Sequence, residues 1–300
     1  MTMGLKKILK PFRESREHRR ARVIIVSYPK SGRTWLRAIV ARTFAEQEKG
    51  VPEELSFDSF SVSRAGGALP TRYTHDDTLN TEARSYTRLE RDKSRYRGKK
   101  VIFLCRDPRD VLVSCYFQAT RRHDLFDGSL SEFLRSDEFG IRKILTFYNI
   151  WYASRDIPSE FLLLHYEDLH QAPHAQIRSV LALMGIDEVD PGTLDRAIAF
   201  SRFENMRKLE ETNYYGIKGM RPKNSNDAES YKIRKGKVGG YSEYLSPSDC
   251  DYADQMIKKL WCPFLERGRR SGAAQLAESG RLDHLPAGRI ADPELVGEIR

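Results

Sequence analysis

Short apolar runs alternate along the chain with longer segments in which apolar residues recur every three or four positions. The apolar runs lie at 23–26, within a predicted strand at 22–28, and at 101–105 and 161–164, and such continuous runs are typical of strands that are covered on both faces. Helical spacing is found at 33–46, 129–136, 139–154, 173–184, 191–200, 201–209 and 247–265. Strands that alternate with helices predict an α/β fold, in which a central parallel β-sheet is flanked by helices on both faces.

Three segments between these elements have weaker patterns. Residues 50–78 are loop-like, apart from a short extended stretch at 71–74 that ends at His75. Residues 79–94 are polar with apolar side chains along one side, and they are predicted to form a helix. Asp107-Pro108 is predicted to start another helix, because an acidic N-cap followed by proline is a common helix start.

Composition and charge indicate one folded domain with two appendages. The 300 residues are 40% hydrophobic and 10% aromatic, which is enough for a sizeable core, and the formal net charge is +9. Most of the positive excess lies in residues 1–22, so a nucleic-acid-binding surface across the fold is not expected. We predict a basic N-terminal arm at 1–21, a folded domain at 22–266 and a loosely ordered C-terminal tail at 267–300.

Other features bear on the location of the protein. Within residues 1–20, apolar side chains share one helical face among Lys and Arg, which suggests either a solvated arm or weak contact with a membrane surface. No apolar run reaches the roughly 18 residues of a membrane span, and no secretory signal is evident. The four cysteines contain no C-x-x-C pair, so buried free thiols are expected. These features predict a cytoplasmic protein, at most peripheral to a membrane.

The segment Tyr28-Pro29-Lys30-Ser31-Gly32-Arg33-Thr34-Trp35 joins the first predicted strand to the first predicted helix. A glycine-containing turn at this place directs backbone N–H groups and a helix N-terminus at an anion. Lys30 adds a positive charge, and Ser31 and Thr34 add hydroxyl groups. The spacing differs from the Walker A pattern, because Lys30 precedes the glycine. The segment therefore indicates a phosphate-binding loop of a different type.

The order of residues in this loop resembles the 5′-phosphosulfate loop of sulfotransferases that use 3′-phosphoadenosine 5′-phosphosulfate (PAPS). Three further segments resemble motifs of the same family, in the same order along the chain. They are 106–114 for the 3′-phosphate motif, 164–169 for the third strand end and 234–239 for the C-terminal nucleotide loop. The resemblance implies a single P-loop-like domain and a soluble, bacterial-type member of the family.

The resemblance implies a donor site that is built from all four segments. Lys30 would neutralise charge on the bridging oxygen as the sulfuryl group leaves 3′-phosphoadenosine 5′-phosphate (PAP). Trp35 and Phe203 would sandwich the adenine, and Tyr166 and Ser201 would contact its edge. The residues implied for the phosphates are Pro29, Lys30, Ser31, Gly32, Arg33 and Thr34 on the 5′ side and Arg106, Ser114, Arg234, Lys235 and Gly236 on the 3′ side.

The resemblance also implies a catalytic base at His75. In the family, a Lys-Thr-His run at this place carries the base, and here the run is Tyr73-Thr74-His75. An imidazole suits the role because its pKa lies near 7. The lysine that assists the transferring sulfate in the family is replaced by Tyr73, and Arg72 or Lys223 is a candidate for the missing charge.

These roles imply in-line sulfuryl transfer from PAPS to a hydroxyl or amine. Lysine, arginine and backbone N–H groups would stabilise the charge, so no metal is expected. Polar segments at 50–80 and 210–233 favour a small-molecule or carbohydrate acceptor. Since some family members use a glutamate, Glu46 or Glu48 is an alternative base. Two other functions stay open, namely a P-loop small-molecule kinase and a membrane or nucleic-acid binding module that acts through residues 1–22.

Overall fold

The computed structural model describes residues 16–47, 59–78, 83–216 and 220–266. The predicted C-terminal tail, most of the basic arm and Glu48 lie outside the described residues. Among the described residues, no helix is long and apolar enough to cross a membrane. The described part of the arm is helical and is joined to the domain by Lys99, whose Nζ donates to the carbonyls of Arg19 and Ala21.

Four parallel strands form the central sheet. In chain order they are β1 (Val23–Ser27), β2 (Thr71–Thr74), β3 (Lys100–Cys105) and β4 (Glu160–His165). Their order across the sheet is β2-β1-β3-β4, and Ile25 is aligned with Tyr73 on one side and with Ile102 on the other. β1 is buried along its whole length, as its continuous apolar run predicts.

Helices cover both faces of this sheet. The described α-helices are α1 (Arg33–Gln47), α2 (Ser59–Ala65), α3 (Pro108–Phe117), α4 (Leu130–Arg135), α5 (Ile141–Ala153), α6 (Tyr166–Gln171), α7 (Pro173–Leu183), α8 (Pro191–Phe200), α9 (Phe203–Glu211) and α10 (Pro247–Lys259). Alternate residues of β3 point into two separate cores. One core includes side chains of α3, α5 and α10, and the other includes side chains of α1, α7 and α8. The predicted fold class is therefore confirmed.

The predicted helix at 79–94 is wrong for its described part, 83–94. The backbone forms only short 3₁₀ turns there, because small polar side chains bond to nearby N–H groups instead of allowing a regular helix. Ser85 Oγ accepts from the N–H of Thr87, and Asp92 Oδ1 accepts from the N–H of Ser94. Local side-chain bonding thus prevails over a weak helical pattern.

The last helix is shorter than predicted, and two helices form where the sequence predicts none. α10 ends at Lys259 and not at 265, because Pro263 cannot continue a helix and the residue before it, Cys262, is extended. α2 lies in the segment that was expected to be loop-like, and α6 follows β4 directly.

The carboxyl ends of all four strands meet at one edge of the sheet. β1 leads into the loop at 28–35, β2 into His75, β3 into Arg106 and β4 into Tyr166. Ligands of open parallel sheets bind at this edge. The topology alone therefore gathers residues from three of the recognised motifs, together with His75.

Candidate active site

The loop between β1 and α1 contains two residues with positive φ angles. Lys30 has a φ of 67° and Gly32 has a φ of 100°. This region suits glycine, but for other residues it is unfavourable by about 1–2 kcal/mol, so surrounding contacts must hold Lys30. The Lys30 carbonyl accepts from Arg106 Nη1 at 3.2 Å. Lys30 Nζ donates to Gln118 Oε1 at 3.2 Å and to the Lys232 carbonyl at 3.3 Å, so the ammonium is directed across the site.

Gly32 lies directly against the Tyr166 ring. A Cβ atom at position 32 would be 2.4 Å from Tyr166 Cδ2, so only glycine fits there. Trp35 packs edge to face with Tyr166 at 5.7 Å between ring centroids, and His170 lies 4.5 Å from the Trp35 ring. The Arg106 guanidinium lies 4.2 Å over the Tyr166 ring. Four candidate donor-site residues thus form one contact group, with His170 as an additional member.

Arg106 joins the β1–α1 loop to residues 232–241, which we call the C-terminal loop. Its Nη1 donates to Lys30, and its Nη2 donates to the Lys237 carbonyl at 3.0 Å. The Tyr148 hydroxyl donates to the Arg106 carbonyl at 2.9 Å and fixes the backbone. Arg106 Nε is buried and has no hydrogen-bond partner in the part of the chain that the structure describes. This guanidinium therefore keeps a donor that fits a phosphate oxygen.

Two buried carboxylates hold the C-terminal loop. Glu210, in the last turn of α9, accepts from the N–H groups of Lys232 and Ile233, both at 2.7 Å. Asp110 of α3 accepts from two N–H groups at the other end of the loop, at 2.9 and 3.0 Å. Asp110 lies inside the 106–114 motif, so the sequence could have indicated its role. Glu210 lies in none of the motifs, and no feature of the sequence indicates its role. Both acids position the loop through charge-assisted hydrogen bonds.

Ser201 and Phe203 lie at the junction of α8 and α9. Phe203 packs so closely over Gly236 that a Cβ atom at 236 would be 2.7 Å from the ring. The Oγ atoms of Ser201 and Ser31 are buried and have no hydrogen-bond partner within the described segments. Buried hydroxyls are normally hydrogen-bonded, so these two fit contacts with a polar ligand. The two aromatic residues implied for adenine contact different segments, Trp35 at α6 and Phe203 at the C-terminal loop.

The basic residues of the C-terminal loop point in different directions. Arg234 donates to Glu229 at 2.9 Å, and its guanidinium lies 4.7 Å over the Phe117 ring. Phe117 is one turn from Ser114 on α3, so the structure brings Arg234 and Ser114 into one region. Lys235 instead pairs with a surface carboxylate. Of the basic residues implied for the 3′-phosphate, Lys235 is thus the one whose side chain is directed elsewhere.

Positive charge accumulates beside the β1–α1 loop. Burial and the charge of Arg122 lower the pKa of Lys30 to about 8. Burial and the charges of Lys30 and Arg33 lower the pKa of Lys232 to about 7. Like charges at close range are unfavourable in the free protein and favour binding of an anion. We refer to Lys30, Arg33, Arg37, Arg122 and Lys232 as the cation cluster.

His75 is held in one tautomer. Its Nδ1 lies 2.9 Å from the Ser27 carbonyl, which can only accept, so Nδ1 carries the proton and Nε2 keeps a lone pair. Burial and the charge of Arg33 hold the pKa of His75 well below its usual value. The imidazole is therefore uncharged at neutral pH, which is the state that a general base requires.

The residue after His75 anchors this loop to the core. Asp76 is buried, and its carboxylate accepts from the Tyr96 hydroxyl at 2.5 Å and from Trp151 Nε1 at 2.9 Å. It also pairs with the buried ammonium of Lys93 at 2.7 Å. A loop fixed by these three partners, and by Arg95 as a fourth, holds His75 in a defined position.

Two alternative candidates from the sequence, Glu46 for the base and Lys223 for the missing positive charge, pair with other side chains. Glu46 pairs with Arg42 and Arg196, and hydrogen bonds from these arginines hold its pKa below the usual value. It also lies about 20 Å along α1 from Arg33, so it is a weaker candidate for the base than His75. Lys223, one candidate for the missing positive charge, forms a surface ion pair.

Sequence comparisons identify the family of this chain. Residues 20–262 match the family model described as the sulfotransferase domain. The chain belongs to the sulfotransferase family. Cytosolic sulfotransferase 10 of Arabidopsis thaliana is 25% identical over 269 residues, which cover 79% of this chain and 77% of that protein. Sulfotransferase 2A1 of Rattus norvegicus is 26% identical over 253 residues, which cover 81% and 85%.

Solved structures share the fold. A mouse sulfotransferase, SULT7A1, complexed with PAP has a TM-score of 0.53 at 18% identity, covering 80% of this chain and 84% of that one. Retinol dehydratase in complex with androsterone and inactive cofactor PAP has a TM-score of 0.53 at 19% identity, covering 82% of both chains. These structures show the shared fold, and the family match confirms the predicted enzyme class, a PAPS-dependent sulfotransferase, over the kinase alternative.

Proposed function

We propose that this sulfotransferase moves the sulfuryl group of PAPS to a hydroxyl or amine of a small-molecule or carbohydrate acceptor, with His75 as general base. The observation that carries the proposal is the bond from His75 Nδ1 to the Ser27 carbonyl, which leaves Nε2 able to accept a proton. The charges of Arg33 and Lys232 act on this imidazole. A neutral base beside a set of cations supports both proton removal and transfer of an anionic group.

The proposed donor site combines the implied residues with the contacts that hold them. The buried hydroxyls of Ser31 and Ser201 and the buried Nε of Arg106, all without a partner in the described part of the chain, support contacts with the nucleotide. Lys235 is the least supported member, because its ammonium pairs with Glu243. The full set is Pro29, Lys30, Ser31, Gly32, Arg33, Thr34, Trp35, Arg106, Ser114, Tyr166, Ser201, Phe203, Arg234, Lys235 and Gly236.

The residues of this chain would act on both ends of the transferred group. PAPS supplies an activated sulfuryl group. His75 Nε2 would take the acceptor's hydroxyl proton as the new sulfur–oxygen bond forms. Lys30 would stabilise the electron pair that stays on the 5′-phosphate oxygen when the opposite sulfur–oxygen bond breaks. Because lysine and arginine supply the charge stabilisation, the proposed transfer needs no metal.

The surroundings of the site guide the proposals on acceptor and location. Arg122 of the cation cluster donates to the carbonyls of Ser230 at 2.5 Å and Arg221 at 3.0 Å. The polar segment between those residues therefore borders the cluster, which favours a polar acceptor such as a carbohydrate. The similarity to cytosolic sulfotransferases supports a cytoplasmic enzyme. We also propose weak contact with a membrane surface through residues 1–20 of the N-terminal arm.

Calorimetry with PAP and with ATP, without added metal, tests the donor site. PAP carries a 3′-phosphate, which the proposal assigns to Arg106 and Arg234, and ATP lacks this group. We expect PAP to bind at least about tenfold more tightly than ATP. Tight binding of ATP without binding of PAP would contradict the proposed donor site.

His75→Ala tests the base. We expect turnover of labelled PAPS, with a hydroxyl acceptor found by screening, to fall by about 10²-fold or more. PAP affinity should change little, because the imidazole does not take part in nucleotide binding. His174, a surface histidine paired with Asp195, offers a matched control variant, His174→Ala. A fully active His75→Ala variant would assign the base to another residue.

A further inference from the structure

Lys232 has a fixed backbone, whereas its side chain has no partner among the described residues. Its N–H donates to Glu210 at 2.7 Å, and its carbonyl accepts from Lys30 Nζ at 3.3 Å. The side chain is half-buried, and among the residues that the structure describes its Nζ makes no ion pair or hydrogen bond. A half-buried ammonium with no protein partner among these residues is available to an anion.

The charges that act on this ammonium have the same sign as its own. All four other members of the cation cluster act on Lys232, and Lys232 in turn acts on His75. They come from the β1–α1 loop, α1 and the segment that follows α3, so several elements converge on one point. A half-buried cation among cations is unfavourable unless an anion lies between them. Lys232 therefore belongs to an anion site that it shares with Lys30.

Tyr73 does not supply a positive charge beside His75. Burial raises the pKa of its hydroxyl to about 12, so the group is neutral at physiological pH. The hydroxyl has no hydrogen-bond partner within the described ranges, and the Arg37 guanidinium lies 4.4 Å over the ring. Position 73 thus offers a hydroxyl but no ammonium.

We propose that the Lys232 ammonium contacts the sulfuryl oxygens of PAPS and stabilises their charge during transfer. This role rests on the proposed donor site. In the step, the bond from the acceptor oxygen to sulfur forms and the bond from sulfur to the 5′-phosphate oxygen breaks. The acceptor proton goes to His75, and the electron pair of the broken bond stays on PAP. Lys30 stabilises the leaving oxygen, and Lys232 stabilises the group that moves.

A comparison of PAPS with PAP isolates this contact, because the two nucleotides differ by the sulfuryl group. Lys232→Met keeps the length of the side chain and removes its charge. In this variant, calorimetry should show a loss of about tenfold in PAPS affinity and a much smaller loss in PAP affinity. Lys232→Arg keeps the charge and should retain most of the PAPS affinity. Lys258→Met removes an exposed lysine in the last turn of α10 and should leave both affinities unchanged.

The outcomes separate the role of Lys232 from the donor site itself. Binding of PAP by the unmodified protein tests the donor site, and only the difference between PAPS and PAP tests Lys232. Equal losses for both nucleotides in Lys232→Met, or no loss for either, would overturn the assignment. A melting curve shows whether this variant folds, and Lys232→Gln, measured in the same way, replaces it if it does not.

Discussion

Lys30 combines a left-handed backbone with a buried ammonium, and each property alone is unfavourable for a lysine. Glycine would remove the backbone strain at this position, but it would also remove the charge that faces the C-terminal loop. Strain of this kind is maintained where the surrounding contacts outweigh it, and such residues concentrate at functional sites. At Lys30 the contacts are those to Arg106, Gln118 and Lys232.

Lys30→Gly and Lys30→Ala separate the strain from the charge. Both variants remove the ammonium, and only glycine relieves the positive φ. We therefore expect the free energy of unfolding, measured in urea, to be about 1 kcal/mol higher for Lys30→Gly than for Lys30→Ala. Both should lose about 10²-fold or more in turnover. Equal stability of the two variants would show that the backbone at position 30 is unstrained.

Residue roles can be read from the sequence where a motif fixes the local geometry. Lys30, Gly32 and Arg106 stand in motifs, and the structure brings them into contact or close to a shared partner, Tyr166. Lys232 depends instead on a contact with Glu210, which lies 22 positions earlier in a different element. No local pattern encodes such a contact, because it forms only when α9 and the C-terminal loop pack together.

At the scale of elements, the C-terminal loop is unusual because carboxylates, and not the hydrogen bonds of a sheet or helix, hold its backbone. Glu210 and Asp110 each accept from two of its backbone N–H groups. Glu210 also lies 3.6 Å from Arg122, so it supplies a counter-charge to the cation cluster. A single buried carboxylate therefore determines both the shape of the loop and part of the charge balance.

Glu210→Gln tests this dual role. The amide keeps the shape but has one acceptor oxygen, so its NH₂ group would face a backbone N–H donor. We expect a loss of about 2–3 kcal/mol in the free energy of unfolding and of about tenfold in PAP affinity. Glu211→Gln is the matched control, because Glu211 is exposed and pairs with Arg207 at the surface. Unchanged PAP affinity in Glu210→Gln would show that the loop keeps its position without this carboxylate.

The elements that can be predicted from the sequence are those with strong apolar spacing, and the wrong secondary-structure predictions have specific physical causes. β1, β3 and β4 follow continuous apolar runs, and their order along the chain leads to the observed sheet. In the described part of the segment predicted as a helix, Lys93 pairs with Asp76, and Tyr96, just after the segment, donates to the same carboxylate. These tertiary contacts act together with the local side-chain bonds of Ser85 and Asp92, and neither is visible in the apolar spacing.

Over the whole molecule, the site concentrates positive charge in a protein whose net charge is already +9. Clefts lined by charge of one sign raise the local concentration of oppositely charged ligands. The unfavourable interactions within the cation cluster are relieved when an anion binds. We therefore expect nucleotide affinity in this protein to be coupled to the protonation of Lys30 and Lys232.

This coupling predicts proton uptake when PAP binds. Lys30, with a pKa of about 8, and Lys232, with a pKa of about 7, are partly uncharged at pH 8, and a bound anion raises both pKa values. Binding at pH 8 should take up protons, and PAP affinity should fall as the pH rises from 7 to 9. Calorimetry in buffers of different ionisation enthalpy measures the number of protons. Binding without proton uptake at pH 8 would contradict the coupling.

Arg106 reaches a carbonyl 76 positions earlier in the chain and another 131 positions later. In a nascent chain on the ribosome, the proposed donor site is therefore incomplete until the C-terminal loop has emerged and docked. Folding of the sheet can precede this event, because all four strands lie before the C-terminal loop. Retention on immobilised PAP is then expected to separate molecules whose C-terminal loop has docked from those in which it has not, so the nucleotide would report this docking step.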